Sequence, residues 1–168
     1  MMRQSTVPLL IIEIQSTPGN SQSVDVGWLR ECLARAVAHI KRPSTRVAIS
    51  LVNDASMIEL HQRHMGLRTT TDVLTFPSSV EGDPIDVDIA LCVDEAARRA
   101  SQFGHTIERE LLLYALHGLL HCCGFDDHDE AGYRSMHAEE DRILNAIGVG
   151  PTFDPQREAA SGDEKDMK

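Results

Sequence analysis

The sequence predicts a small α/β domain: a mixed β-sheet of about four strands with surrounding helices, and a central helix that holds a metal site. Three observations predict it. Ile85, Val87, Ile89, Leu91 and Val93 alternate with Asp86, Asp88, Ala90 and Cys92, the two-residue period of a strand with two unlike faces. Residues 111–120 (LLLYALHGLL) are apolar almost all round, as a helix enclosed by other elements must be. The periodicities along the chain run β-α-β-α-β-β-α-α-α, the pattern of helices packed on a sheet.

Residues 9–14 (LLIIEI) form a β-rich run, and Thr17-Pro18-Gly19-Asn20-Ser21 is loop chemistry. Trp28, Leu29, Cys32, Leu33, Ala36, Val37 and Ile40 recur at helical spacing and predict an amphipathic helix that ends before Pro43. Val47, Ile49 and Leu51 point inward from a second strand over residues 46–52. Asn53 or Asp54 is placed to cap a short helix that carries Met57, Ile58 and Leu60, and Gly66 closes it. Thr71-Asp72-Val73-Leu74-Thr75-Phe76-Pro77 turns into a short strand stopped by proline. After the alternating strand, Asp94 is expected to cap a helix ending at Phe103 and Gly104, and Thr106 to cap the apolar helix. A last helix is expected from about Glu130 to Ala146, with Tyr133, Met136, Ile143 and Leu144 inward.

With 168 residues, 42% of them hydrophobic, the chain reads as one domain over residues 1–150 followed by a disordered acidic tail over 151–168. No run is long and apolar enough to span a bilayer and no signal peptide is expected, so we expect a cytoplasmic protein with no membrane partner. Cys32, Cys92, Cys122 and Cys123 include no CxxC pair and read as small buried residues in a reducing compartment. The net charge of −10 argues against indiscriminate nucleic-acid binding. Basic residues nevertheless concentrate between Arg30 and Arg68, and Arg35, Arg42 and Arg46 are expected to wall a groove over the metal.

The chemistry concentrates in His117-Gly118-Leu119-Leu120-His121-Cys122-Cys123-Gly124-Phe125-Asp126-Asp127-His128. Histidines at i and i+4 share a helix face, about 5–6 Å apart at Cβ, which suits two imidazoles on one ion. Both interrupt a leucine-rich helix, where an unpartnered imidazole is costly to bury. Gly124 stops the helix and lets the chain double back, offering Asp127, or else His128, as third ligand. Three protein ligands leave a position open, and the donor types suit Zn²⁺. A zinc protease needs a glutamate after the first histidine as general base; Gly118 stands there, which argues against peptide hydrolysis. Arg63 and Arg68, with His61 and His64, lie in a helix–loop segment able to border the site and neutralise phosphate charge.

These residues resemble the YbeY family, bacterial metal-dependent endoribonucleases of ribosomal RNA maturation. The resemblance runs from about Val47 to Leu144 and rests on the stretch Thr71 to Pro77, on Asp88-Ile89, on HGLLH at 117–121 and on Gly124-Phe125-Asp126. It implies an endoribonuclease specific for single strands, with one Zn²⁺ per chain. It also implies a role in 3′-end maturation of small-subunit rRNA and in ribosome quality control, with the small ribosomal subunit and its assembly factors as partners. Two positions depart from the family pattern. Where the family has a third ligating histidine, this chain has Asp127, and His128 comes one residue late; Asp127 is the preferred ligand. Where the family has a Tyr-Arg pair whose arginine is proposed to be catalytic, this chain has His64 and Met65, so Arg63 and Arg68 become the candidate catalytic cations. The rival readings are a ribosome-assembly binding factor with a structural zinc and a metallohydrolase of another substrate.

Overall fold

The computed structural model describes residues 9–152. Its elements are β1 (Ile11–Ser16), α1 (Val26–Val37), β2 (Ser44–Val52), α2 (Asp54–Met65), β3 (Val73–Pro77), β4 (Ile85–Cys92), α3 (Val93–Phe103), α4 (Ile107–Cys122) and α5 (Glu130–Ala146). The predicted α/β class, strand count and element order are those observed. The sheet has the order β1-β2-β4-β3, with β1, β2 and β4 parallel and β3 antiparallel at one edge.

The alternation along β4 divides the two faces of the sheet. Ile85, Val87, Ile89 and Leu91 join Val47, Ile49 and Leu51 of β2 in the main core beneath α1 and α4. Ala90 and Cys92 turn to the other face and pack with Met57 of α2 in a smaller cluster. On that face Arg46 is ringed by Glu13, Asp86 and Asp88 at 3.6, 3.1 and 2.9 Å. The enclosed helix is α4: Leu111, Leu112, Leu116, Leu119 and Leu120 are all essentially inaccessible.

Side-chain caps set most helix starts. Asp25, Asn53, Thr106 and Asp129 each accept a backbone N–H from the first turn of α1, α2, α4 and α5. The cap expected from Asp94 is not made. Asp94 lies inside the first turn of α3, and its Oδ2 instead accepts the backbone N–H of Asp54 at 2.8 Å, joining α3 to the start of α2. Strand β1 begins two residues later than expected, because its pairing with β2 starts at Ile11 opposite Arg46 and leaves Leu9 exposed. Packing continues to the end of the described region, where Arg109 donates to the carbonyls of Val149 and Pro151 and Thr152 is buried. Residues 153–168, most of the expected tail, lie outside the described residues.

Candidate metal centre

Helix α4 presents His117 and His121 on one face, and its ending folds the chain back over them. Gly124, at φ 90°, occupies the left-handed region, its N–H donates to the His121 carbonyl, and the Phe125 N–H donates to that of Leu120. The reversal brings Asp127 over the helix. Its Oδ2 lies 3.4 Å from His117 Nε2 and its Oδ1 lies 3.6 Å from His121 Nε2, while the two Nε2 atoms stand 3.0 Å apart.

The partners behind each ring fix what faces the centre. His117 Nδ1 lies 2.8 Å from a carboxylate oxygen of Glu140, and His121 Nδ1 lies 3.0 Å from the Phe125 carbonyl. Both partners accept hydrogen bonds, so each Nδ1 carries the proton, and in a neutral ring Nε2 presents its lone pair. With neutral rings, two lone pairs and a carboxylate then converge with no donor between them, an arrangement that a bound metal ion or a shared proton satisfies. His117, His121 and Asp127 thus form a three-donor group whose ligand atoms lie within 4.8 Å of one another, able to hold a metal ion. The donor chemistry fits a borderline metal such as zinc.

Glu140 anchors the site from α5. Its side chain is fully buried and accepts from both His117 and His137, the latter at 2.6 Å. Burial pushes its pKa up, but the two imidazoles outweigh this and hold it below the ordinary carboxylate range. Burial likewise pushes His117 down, and the Glu140 carboxylate more than reverses it. Position 132 holds the Asp127 loop against α5: a Cβ there would fall 2.1 Å from the Asp126 carbonyl oxygen, so only glycine permits this approach.

The family described as Endoribonuclease YbeY matches residues 14–148. The chain belongs to that family. A protein named Endoribonuclease YbeY from Desulfitobacterium hafniense is 35% identical over 149 residues, covering 82% of this chain and 94% of its own. The Salinibacter ruber protein of the same name is 33% identical over 140 residues, covering 79% and 89%. The solution structure of TM1509 from Thermotoga maritima superposes with a TM-score of 0.51 at 25% identity, over 81% of this chain and 91% of that one. YbeY relatives are thus named as endoribonucleases, which are hydrolases of RNA phosphodiester bonds.

Two openings flank the histidines. A groove of about 420 Å³ runs along the β3 edge, between Val73, Leu74 and Thr75 on one side and His117, His121 and Met65 on the other. A cleft of about 260 Å³ lies between α3, α4 and α5 and reaches His117 and Asp127. Neither opening is lined by Arg63 or Arg68. Arg63 is exposed and paired with Glu59 on its own helix, and Arg68 is exposed. From that segment it is Met65 that lines the groove, the position at which the YbeY pattern implied an arginine. His128 is 87% exposed, pairs with Asp126 at 3.3 Å, and with Asp126 and Asp127 forms a second, more exposed group whose ligand atoms lie within 4.8 Å of one another.

Position 118 has a structural explanation. A Cβ there would lie 2.6 Å from Thr75 Oγ1, so Gly118 is where α4 presses on β3, and a side chain at 118 would point into the sheet. Of the three arginines expected to wall the groove, Arg35 is exposed on α1 and the other two are engaged elsewhere. Arg42 donates to the carbonyls of Val80, Asp83 and Cys122, and Arg46 is held by three carboxylates. Both guanidiniums are consumed in tying the fold together. Two contributors escaped the sequence reading. Glu140 stood in plain view as an acid in the apolar stripe Met136, Glu140, Ile143, Leu144 of α5, whereas Gly132 gave no signal of its own.

Proposed function

We propose that this chain is a zinc-dependent endoribonuclease specific for single-stranded RNA, acting in the cytoplasm in 3′-end maturation of small-subunit ribosomal RNA and in ribosome quality control. The observation that carries the reading is the convergence of His117 Nε2, His121 Nε2 and Asp127 with both Nδ1 protons committed behind them. Membership of a family whose relatives are named endoribonucleases supplies the reaction class. His117, His121 and Asp127 would hold the ion, with His128 outside the ligand set.

When bound, the ion would supply Lewis-acid stabilisation of the charge that develops on the phosphate. The chain's own residues do the rest. Glu140 and the Phe125 carbonyl lock the tautomer and direction of the two imidazoles. Gly132 keeps the Asp127 loop against α5. The groove along the edge strand β3 is open and passes directly beside both histidines, which suits an extended single strand. No helix among the described residues is long and apolar enough to cross a membrane, in keeping with a site that meets ribosomal RNA and the small subunit in the cytoplasm.

The test is cleavage of a single-stranded rRNA fragment by metal-loaded protein. We expect cleavage that is lost on chelation and in His121→Ala, with duplex RNA left intact. A chelated or His121→Ala protein that still cleaves would overturn the reading. Binding of RNA without cleavage, together with unfolding on chelation, would favour an assembly factor with a structural zinc.

A further inference from the structure

The cleft between α3, α4 and α5 adjoins the metal centre, sharing with it the candidate ligands His117 and Asp127 and the supporting Glu140. Most of its carboxylate oxygens are already committed. Glu110 pairs with His105 at 2.8 Å, Glu140 accepts from His117 and His137, and Asp72 Oδ1 accepts the backbone N–H of Val73. Its donors are not. Arg99 gives Nε to Glu95 at 3.2 Å, and its Nη groups make no hydrogen bond among the described residues. Tyr114 is 6% exposed, lines the same cleft, and its buried hydroxyl has no hydrogen-bond partner among the described residues. A buried hydroxyl without a partner is costly, and a ligand that accepts from it removes the cost.

Unused capacity in this cleft therefore includes two donors, one cationic and one neutral, beside a three-donor metal group. We propose that Arg99 and Tyr114 form a phosphate subsite, which holds a backbone phosphate of the RNA next to the scissile bond and supplies the positive charge that Met65 does not. The inference rests on the endoribonuclease reading above and adds to it a substrate-positioning pair. Arg99 suits the task because a guanidinium offers two oxygens parallel hydrogen bonds and keeps its charge. Burial, and after it the nearby carboxylates Glu110, Asp72 and Glu95, raise the Tyr114 pKa against the opposing pull of Arg99, so the phenol stays a donor.

The test uses metal-loaded protein and a fluorescent 2′-O-methyl oligoribonucleotide, checked by gel to remain intact, with affinity read across a salt series. Arg99→Gln is expected to weaken binding about tenfold and to flatten the slope of log K against log salt by about 0.7, the signature of one lost phosphate contact to a single strand. Arg99→Lys is expected to keep the slope while losing part of the affinity. Tyr114→Phe is expected to weaken binding a few-fold with the slope unchanged. Arg134→Gln serves as the control, since Arg134 is exposed on α5, pairs with Glu130 and does not line the cleft. Circular dichroism confirms that each variant folds, and only a lost charge contact moves the salt slope. If wild-type protein cleaves and binds RNA while folded Arg99→Gln keeps both affinity and slope, the subsite is refuted and the endoribonuclease reading stands. If wild-type protein neither binds nor cleaves RNA, both fall.

Discussion

Helices α2 and α4 each carry two neighbouring histidines, and the two pairs meet opposite fates. On α2, His61 is buried with Nδ1 2.7 Å from the Thr69 carbonyl, while the His64 ring packs on Phe76 with centroids 4.6 Å apart. Each ring serves one local contact, and among the described residues neither joins a group of converging ligand atoms. On α4, His117 and His121 are held from behind by Glu140 and by the Phe125 carbonyl, so that both remaining nitrogens meet Asp127 in front. Spacing decides whether two imidazoles share a helix face. The acceptor behind each ring decides whether its other nitrogen is available to a metal.

The sharpest way to break that comparison is to remove one ring from each pair. His121→Ala is expected to abolish stoichiometric zinc, read by elemental analysis, and to lower RNA cleavage by about 100-fold or more while circular dichroism stays native. His61→Ala should keep its metal and instead lose about 1–2 kcal/mol in urea unfolding, the cost of a buried ring and its hydrogen bond to the Thr69 carbonyl. Equal metal loss from both variants would show that the distinction between the pairs is wrong.

The next test removes the support and leaves both rings. Glu140→Gln preserves shape but takes away the charge that orients His117, and zinc affinity measured against a competing chelator should fall about 10–100-fold. Unchanged affinity would mean that the imidazole is positioned by packing alone. A smaller effect probes the floor beneath the pair. Gly118→Ala pushes a methyl group against Thr75 Oγ1 and should cost about 1–3 kcal/mol by denaturant unfolding, with part of that loss recovered in the double variant carrying Thr75→Ala. Without recovery, the contact with β3 is not the cause.

How much of this was legible depended on whether the signal was local. The alternation of Ile85 to Val93, the apolar run of α4 and the glycines at 66, 104 and 124 are local patterns, and each element they imply is present. The two histidines and Asp127 are also local, lying within one helix and its return loop. What escaped was long-range. Glu140 is 23 positions from His117, and Arg99 and Tyr114 meet in one cleft only because α3 packs against α4. Charge misled in the same way. The arginines between positions 30 and 68 looked like a basic wall, yet carbonyls from residues 80–122 satisfy Arg42 and acids on β1 and β4 satisfy Arg46.

The smallest expected effect concerns how α2, the helix of the locally spent pair, is anchored. Arg98 on α3 grips Asp54 at the start of α2 through two hydrogen bonds of 2.7 and 2.9 Å, and this holds the Asp54 carboxyl down at about 2, from 3.8. A depressed carboxylate pKa contributes stability that is present above about pH 4 and is lost as pH falls through about 2. Both side chains are more than a third exposed, at 36% and 49%, so solvent screening limits the pair to less than about 1 kcal/mol. Arg98→Gln should therefore lower stability slightly at pH 7, and the gap from wild type should narrow between pH 4 and pH 2 in thermal melts. Zinc content should not change, because α2 contributes Met65 to the groove and no ligand to the metal centre. A gap that does not vary with pH would assign Arg98 to packing, and loss of zinc would show that the two histidine-bearing helices are coupled after all.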